Sequence, residues 1–108
     1  MNQDVYKVLD VYIKRIITHF HPYKIILFGS HATGSSHPDS DVDLLIIMDV
    51  KDSTRSAANK IDALLSDRLI PMDFIVITPE QFKQQKNVKS SIICTAATEG
   101  KILYECAA

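Results

Sequence analysis

The chain has 108 residues, of which 46% are hydrophobic and 23% charged, a balance typical of a water-soluble globular protein. Its length predicts one domain over residues 1–108. Twelve basic and thirteen acidic residues give a net charge of −1, which excludes a strong overall basic field for binding nucleic acid. The apolar runs are too short to cross a membrane. Cys94 and Cys106 lack metal-ligand spacing, so we expect two reduced thiols in a cytoplasmic protein.

The first half of the chain predicts a helix followed by two strands. Residues 3 to about 20 place apolar side chains at three- and four-residue steps, which is typical of an amphipathic helix, and Pro22 stops it. The β-rich apolar run Lys24–Phe28 predicts a buried strand. The turn-rich segment Gly29–Ser40 separates it from a second predicted strand, Asp41–Met48, which has carboxylates at its entrance.

The second half of the chain predicts further helices and strands. In chain order we expect a helix over Ser56–Arg68, a strand over Pro71–Ile77, a helix opening at Pro79, a helix over Val88–Thr98 and a short edge strand over Lys101–Tyr104. A proline suits the first turn of a helix, because its missing N–H is not needed there. Gly100 is expected to end the last helix.

Three aspartates mark the candidate site. Side chains two residues apart in a strand point to one face, with Cα atoms about 7 Å apart, so Asp41 and Asp43 would aim at one point. Their charges would repel each other, and a divalent cation such as Mg²⁺ would remove that penalty. If the strand with Asp73 lies beside the second strand, three carboxylates can hold two metal ions about 3.5–4 Å apart. The alternative interpretation is an acidic strand entrance that is simply exposed to solvent.

A glycine and a serine after the first strand form a candidate phosphate site. Gly29 would let the backbone approach a ligand closely, and Ser30 opens a predicted one-turn helix that continues over residues 31–33. Free N–H groups at a helix start bind phosphate oxygens. His31 is a candidate phosphate contact, and the alternative is an ordinary histidine at a helix end or in a loop. The alternative is a strand-ending turn with Ser30 as a helix N-cap, and this alternative is compatible with phosphate binding.

Together these residues resemble a known signature. Gly29-Ser30, ten residues, Asp41-x-Asp43 and a later strand-borne Asp73 are similar to the DNA polymerase β-like nucleotidyltransferases. The short chain further resembles the minimal nucleotidyltransferases (MNT), which act as antitoxins to HEPN toxins. The resemblance covers nearly the whole chain. It implies an α+β fold, the nucleotidyltransferase fold, with a small central mixed β-sheet flanked by helices.

The resemblance also implies chemistry. Asp41 and Asp43 would bind Mg²⁺ or Mn²⁺, Asp73 would complete the catalytic metal site, and Gly29 and Ser30 would contact the phosphates of ATP. The implied reaction is a metal-dependent transfer of AMP from ATP to a hydroxyl on a partner, a HEPN-type toxin.

Two features leave other interpretations open. Many members of the family carry an arginine where this chain has Thr33, which removes a positive charge near the expected phosphates. The alternative function is therefore a catalytically idle binding module that neutralises its partner by masking it. Lys83, Lys86 and Lys89 predict a solvated helix face, with contact to RNA or to an acidic partner as the second interpretation. Self-association of the chain also stays open.

Overall fold

The computed structural model describes residues 3–34 and 41–106, without the side chains of residues 3–5, 30 and 33. The helices are α1 (Gln3–Phe20), α2 (Ser30–Thr33), α3 (Thr54–Leu64), α4 (Pro79–Gln85) and α5 (Ile92–Glu99). The strands are β1 (Lys24–Phe28), β2 (Val42–Ile47), β3 (Met72–Ile77) and β4 (Lys101–Glu105). The α+β class predicted from the sequence is confirmed. No helix in this described part combines the length and apolar character that crossing a membrane requires.

The strands form a mixed four-stranded sheet in the order β3-β2-β1-β4. β1 pairs antiparallel with β2 and β4, whereas β2 and β3 are parallel. The parallel pair is connected through α3, because a parallel strand can be reached only by a crossover. β4 lies at the edge, as predicted, and its pairing with β1 contains an irregularity between Ile25 and Ile26.

The two faces of the sheet carry different covers. We call the face beneath α1 and α3 the broad face; its buried residues are Leu9, Tyr12, Ile13, Ile16, Ile25, Leu27, Val42, Leu44, Ile46, Met48, Ala57, Ile61, Leu65, Met72 and Val76. We call the other face the narrow face, and its buried residues are Ile26, Phe28, Leu45, Ile47, Ile77, Ile93 and Ala96. Neighbouring strand residues belong to opposite clusters, because side chains alternate between the faces of a strand. The core is therefore two unequal layers around one sheet.

Three helix ends differ by two residues or more from the sequence prediction. α3 begins at Thr54 rather than at Ser56, with Ser53 as its N-cap, and the end of α3 and the start of α5 also differ. α3 ends at Leu64 rather than at Arg68, and the Arg68 guanidinium donates a hydrogen bond to the carbonyl oxygen of Leu65 at 3.1 Å. Arg68 thus caps the helix from outside, since the last carbonyls of a helix lack backbone partners. α5 begins at Ile92 rather than at Val88, because the side chain of Ser91 accepts a hydrogen bond from the N–H of Ile93 at 3.0 Å and caps the helix.

Gly100 ends α5 as predicted, but for a different reason. Its φ of −75° is open to any residue, so no left-handed backbone requires glycine here. A Cβ at this position would lie 2.5 Å from the Ile26 Cγ2 atom and 2.8 Å from the Leu27 carbonyl oxygen. The glycine therefore lets the end of α5 pack directly against β1.

Candidate active site

The pairing of β2 with β3 brings two of the predicted aspartates together. Asp43 and Asp73 are partners in the parallel register, and neighbouring strands lie about 4.8 Å apart. The backbone N–H of Val42 donates to the carbonyl oxygen of Pro71 at 2.9 Å, which fixes this end of the pair. The expectation that the strand with Asp73 lies beside the second strand is confirmed.

The aspartates stand at the uncovered end of the narrow face. Alternation along β2 places Asp43 on the same face as Leu45 and Ile47, which are buried beneath α4 and α5. Toward the start of β2 the cover is lost: Asp43 is half-buried, and Asp41 and Asp73 are exposed. The carboxylates therefore adjoin the core on one side and solvent on the other.

The electrostatics of Asp43 reflect this position. Burial raises the pKa of Asp43 above its usual value of 3.8, and the neighbouring charges of Asp73 and Asp41 raise it further. His31 acts in the opposite direction and lowers the pKa of Asp43. Asp43 thus interacts with both of the other carboxylates, and adding positive charge beside Asp43 would relieve an unfavourable arrangement.

Gly29 lies directly against the carboxylate of Asp43. It follows Phe28, which is the register partner of Asp43 across the β1–β2 pair. Gly29 has a φ of +77°, and a Cβ built on it would collide with the Asp43 Oδ2 atom and lie 3.3 Å from Cγ. From the sequence we expect a nucleotide to lie against Gly29, whereas in the structure the Asp43 carboxylate lies there. A close approach of nucleotide to Gly29 stays a prediction.

The predicted one-turn helix is present as α2. Its start is closed by the N–H of Ala32, which donates to the Gly29 carbonyl oxygen at 3.1 Å. His31 is only 8% exposed and interacts electrostatically with Asp43, so it faces inward toward the carboxylates. Its predicted phosphate contact remains untested. The side chains of Ser30 and Thr33, and residues 35–40 of the loop, lie outside the described residues, so their predicted roles also stay predictions.

The donor set fits a hard divalent cation in its chemistry. Asp41, Asp43 and Asp73 offer carboxylate oxygens, which are the ligands that Mg²⁺ prefers. Within residues 3–34 and 41–106, no three His, Cys, Asp or Glu side chains are already arranged to hold a metal ion. The charges of Asp41 and Asp73 act on Asp43, but the three carboxylates do not yet form a complete coordination set. A bound ion would have to draw them together.

Comparison with known proteins places the chain in a family. A family model described as the nucleotidyltransferase domain matches residues 9–97. No curated protein sequence matches the chain significantly.

Solved structures with a similar fold include a candidate nucleotidyltransferase from Sulfolobus solfataricus, with 16% identity and a TM-score of 0.61 over 92% of this chain and 78% of that one. A toxin–antitoxin structure with AMP-PNP matches with 22% identity and a TM-score of 0.51, over 91% and 74% of the two chains. A mutant of the toxin–antitoxin MntA–HpeT matches with 22% identity and a TM-score of 0.58, over 92% and 73%. At these identities the likeness shows a shared fold. Together with the family model, which covers most of the chain, it shows that this protein belongs to the nucleotidyltransferase domain family.

Proposed function

We propose that the protein is a metal-dependent nucleotidyltransferase that transfers AMP from ATP to a hydroxyl of a partner protein. The observation that carries this proposal is the register pairing of Asp43 with Asp73, with Asp41 two residues before Asp43. Burial and these neighbouring carboxylates raise the pKa of Asp43, as expected for a cluster of carboxylates that binds a cation.

The partner and the nucleotide are proposed from the structural neighbours. Two of them are toxin–antitoxin structures, and one of these is described with AMP-PNP. We infer by analogy that this chain is the antitoxin of such a pair, that its nucleotide is ATP and that its partner is a HEPN-type toxin. The free thiols of Cys94 and Cys106 are compatible with a cytoplasmic location, which we also propose.

Each site residue has a distinct task in this proposal. The acceptor hydroxyl oxygen forms a bond to the α-phosphorus, the bond to the bridging oxygen breaks, and pyrophosphate leaves. Asp73 is exposed and therefore accessible to the acceptor, whose proton it accepts. Asp43, half-buried with its carboxylate against Gly29, would act as a metal ligand.

Asp41, Asp43 and Asp73 would hold Mg²⁺, and the N–H groups at the start of α2, with Gly29, Ser30 and His31, would face the phosphates. Bound Mg²⁺ supplies neutralisation of the carboxylates and of the charge that develops on the phosphates. Three acidic groups would otherwise repel an anionic substrate, so nucleotide and metal are expected to bind together.

The direct test is the mass of a HEPN-type toxin incubated with this protein, ATP and Mg²⁺. We expect the toxin to gain one adenylate, and Asp41→Ala and Asp43→Ala to abolish the gain without unfolding the chain. A gain of the same size with both variants would show that the site is assigned wrongly.

Two observations favour the binding-module alternative. The described carboxylates do not form a ready metal site, and the chain has Thr33 where an arginine is common in the family. If neither wild type nor variants modify the toxin but all suppress its activity, masking is the function.

A further inference from the structure

A second surface of the protein lies at the turn between α4 and α5. Residues 83–90 are all exposed, and so is Ile92. The surface carries three lysines and two exposed apolar side chains, Val88 at 46% and Ile92 at 52%. We call Lys83, Lys86, Val88, Lys89 and Ile92 the lysine surface.

The lysine surface contains no acidic residue of its own, and the nearest acidic residue before it in the sequence is Glu80, three residues before Lys83 in α4. The sequence contains no aspartate or glutamate from residue 81 to residue 98. The described ion pairs join Lys14 to Asp10, Arg15 to Asp67, Lys24 to Glu105, Lys60 to Asp52 and Arg68 to Asp62. Lys83, Lys86 and Lys89 take part in none of the ion pairs in this part of the structure. A chain with a net charge of −1 thus concentrates three positive charges on one short segment.

The segment is ordered by its own hydrogen bonds. The N–H of Val88 donates to the carbonyl oxygen of Gln85 at 3.0 Å, and the N–H of Ser91 donates to that of Val88 at 2.9 Å. The Ser91 hydroxyl also donates to the Gln85 Oε1 atom at 3.4 Å. A partner would therefore meet a preformed turn, and little conformational entropy would be lost on binding.

The lysine surface belongs to the same side of the sheet as the carboxylates. α4 and α5 cover the narrow face, toward which Asp43 also points. α5 leads from Ile92 to Gly100, which packs on β1 at Leu27, two residues before Gly29. An eight-residue helix is about 12 Å long. A protein seated on the lysine surface could therefore reach the carboxylate end without covering it.

The chemistry of this surface favours a protein over RNA. Single-stranded nucleic acid is bound by stacking bases on exposed aromatic side chains. Residues 83–92 contain no aromatic residue, and the preceding Phe82 is half-buried against the narrow-face cluster, with the Lys24 ammonium 5.4 Å from its ring centre. Exposed Val88 and Ile92 instead suit an apolar contact, and the three exposed lysines of the same segment suit carboxylates.

We propose that the lysine surface docks an acidic surface of the partner protein that also presents apolar side chains. Its role in delivering an acceptor hydroxyl rests on the function proposed above, but the docking itself does not. Complementary charge would speed and orient the encounter, and contact with Val88 and Ile92 would bury apolar surface.

The test is a titration of the full-length protein, without ATP or metal, followed by amide chemical shifts. The probe is a short synthetic helical peptide with glutamates flanking two leucines. We expect saturable shifts at residues 83–92 that weaken as salt is raised. Lys83→Ser/Lys86→Ser/Lys89→Ser should weaken binding about tenfold, since exposed ion pairs contribute little individually. Val88→Ser/Ile92→Ser should weaken it as well.

The matched control is Lys7→Ser/Lys51→Ser/Lys60→Ser, which removes the same charge elsewhere and should leave binding unchanged. Equal binding of a peptide with glutamines in place of glutamates would overturn the proposal, as would equal loss in both triple variants. Shifts at residues 83–92 with oligouridylate but not with the acidic peptide would assign the surface to RNA instead. Peptide docking without adenylylation of a toxin would contradict only the proposed function.

Discussion

The broad and narrow faces of the sheet differ in the length of the helices that cover them. The broad face is covered by an 18-residue helix and an 11-residue helix. The narrow face is covered by helices of seven and eight residues, which leave the start of β2 and β3 open. Asp43 and Asp73 occupy that open end. Had the broad-face helices covered both sides, these carboxylates would be buried and could not bind a charged substrate.

The open end of the narrow face explains why like charges can lie close together at the candidate site. A carboxylate in the middle of the broad face would carry a large desolvation cost with no compensation. At the open end of the narrow face the cost is smaller, because Asp41 and Asp73 are exposed and only Asp43 is half-buried. The remaining penalty appears as the raised pKa of Asp43.

The largest effect we predict is the loss of chemistry when Asp43 is removed. Asp43→Ala should lower adenylyl transfer about a thousandfold, equivalent to about 4 kcal/mol of barrier. Calorimetry should show metal binding weaker in the variant than in wild type, most clearly with nucleotide present.

Asp49→Ala is the matched control, because Asp49 lies just beyond the other end of β2, is exposed and accepts a hydrogen bond from the Tyr23 hydroxyl at 2.7 Å. It should keep both activities. Unchanged metal binding by Asp43→Ala would contradict the assignment of the site to the narrow face.

A second prediction compares the two covers directly. Ile61 of α3 is fully buried in the broad-face cluster, and Ile93 of α5 is 3% exposed in the narrow-face cluster. Ile61→Ala should lower the free energy of unfolding by about 3–4 kcal/mol and Ile93→Ala by about 2 kcal/mol, because a short helix over a small cluster can collapse onto the cavity. Urea unfolding measures both. Equal losses would show that the two layers stabilise the fold equally.

Most of the fold could be predicted from the sequence, because its elements carry strong local patterns. α1 was placed by apolar spacing and Pro22, β1 by its apolar run, and α4 by Pro79 in its first turn. The ends of α3 and α5 could not be placed, because they depend on which side chain reaches a helix terminus. Ser91 was a usable signal, since serine is a preferred N-cap.

The sequence predicts which residues form the candidate site, but it does not predict how they contact one another. The motif named Asp41, Asp43 and Asp73, and the sheet pairs two of them as expected. The contact between Gly29 and the Asp43 carboxylate depends on the register of β1 against β2, which apolar runs without alternation do not specify. The inward position of His31 likewise depends on how α2 packs, which a four-residue helix does not reveal.

The Gly29 contact yields a third prediction. Gly29→Ala should destabilise the fold by about 1–3 kcal/mol and weaken metal binding, because its new Cβ strains the positive φ and displaces the Asp43 carboxylate. Gly34→Ala is a close control: Gly34 has a φ of +80°, but no atom of the described residues lies within 4 Å of its Cβ position. It should show the backbone strain alone. Metal affinities that fall equally in both variants would show that the contact with Asp43 is unimportant.

A fourth prediction follows from the raised pKa of Asp43. Well below pH 3.8 the carboxyl is protonated in both the folded and unfolded chain, and it contributes no pH dependence. As pH rises from 3.8 toward the higher pKa of folded Asp43, the unfolded chain loses this proton first, and the free energy of unfolding falls. Above the pKa of folded Asp43, the loss of unfolding free energy stays constant. Asp43→Asn should therefore be more stable than wild type at neutral pH without metal, with the difference vanishing in acid. Urea unfolding across pH measures this, and a difference that grows toward acid would refute the sign.

The smallest predicted effect concerns the missing arginine. Thr33 ends α2, which follows Gly29 at the open end of the narrow face. Thr33→Arg would add a positive charge near the phosphates proposed to bind there, and one exposed charge pair is worth about 0.5 kcal/mol, or roughly a twofold gain in ATP affinity. The gain should shrink as salt is raised, because exposed charges are screened. Thr33→Gln adds side-chain length without charge. It separates the effect of length from the effect of charge and should leave the ATP affinity unchanged. An arginine variant with wild-type ATP affinity at low salt would mean that residue 33 does not face the phosphates, and the placement of the nucleotide beside α2 would be wrong even if the carboxylates still bind metal.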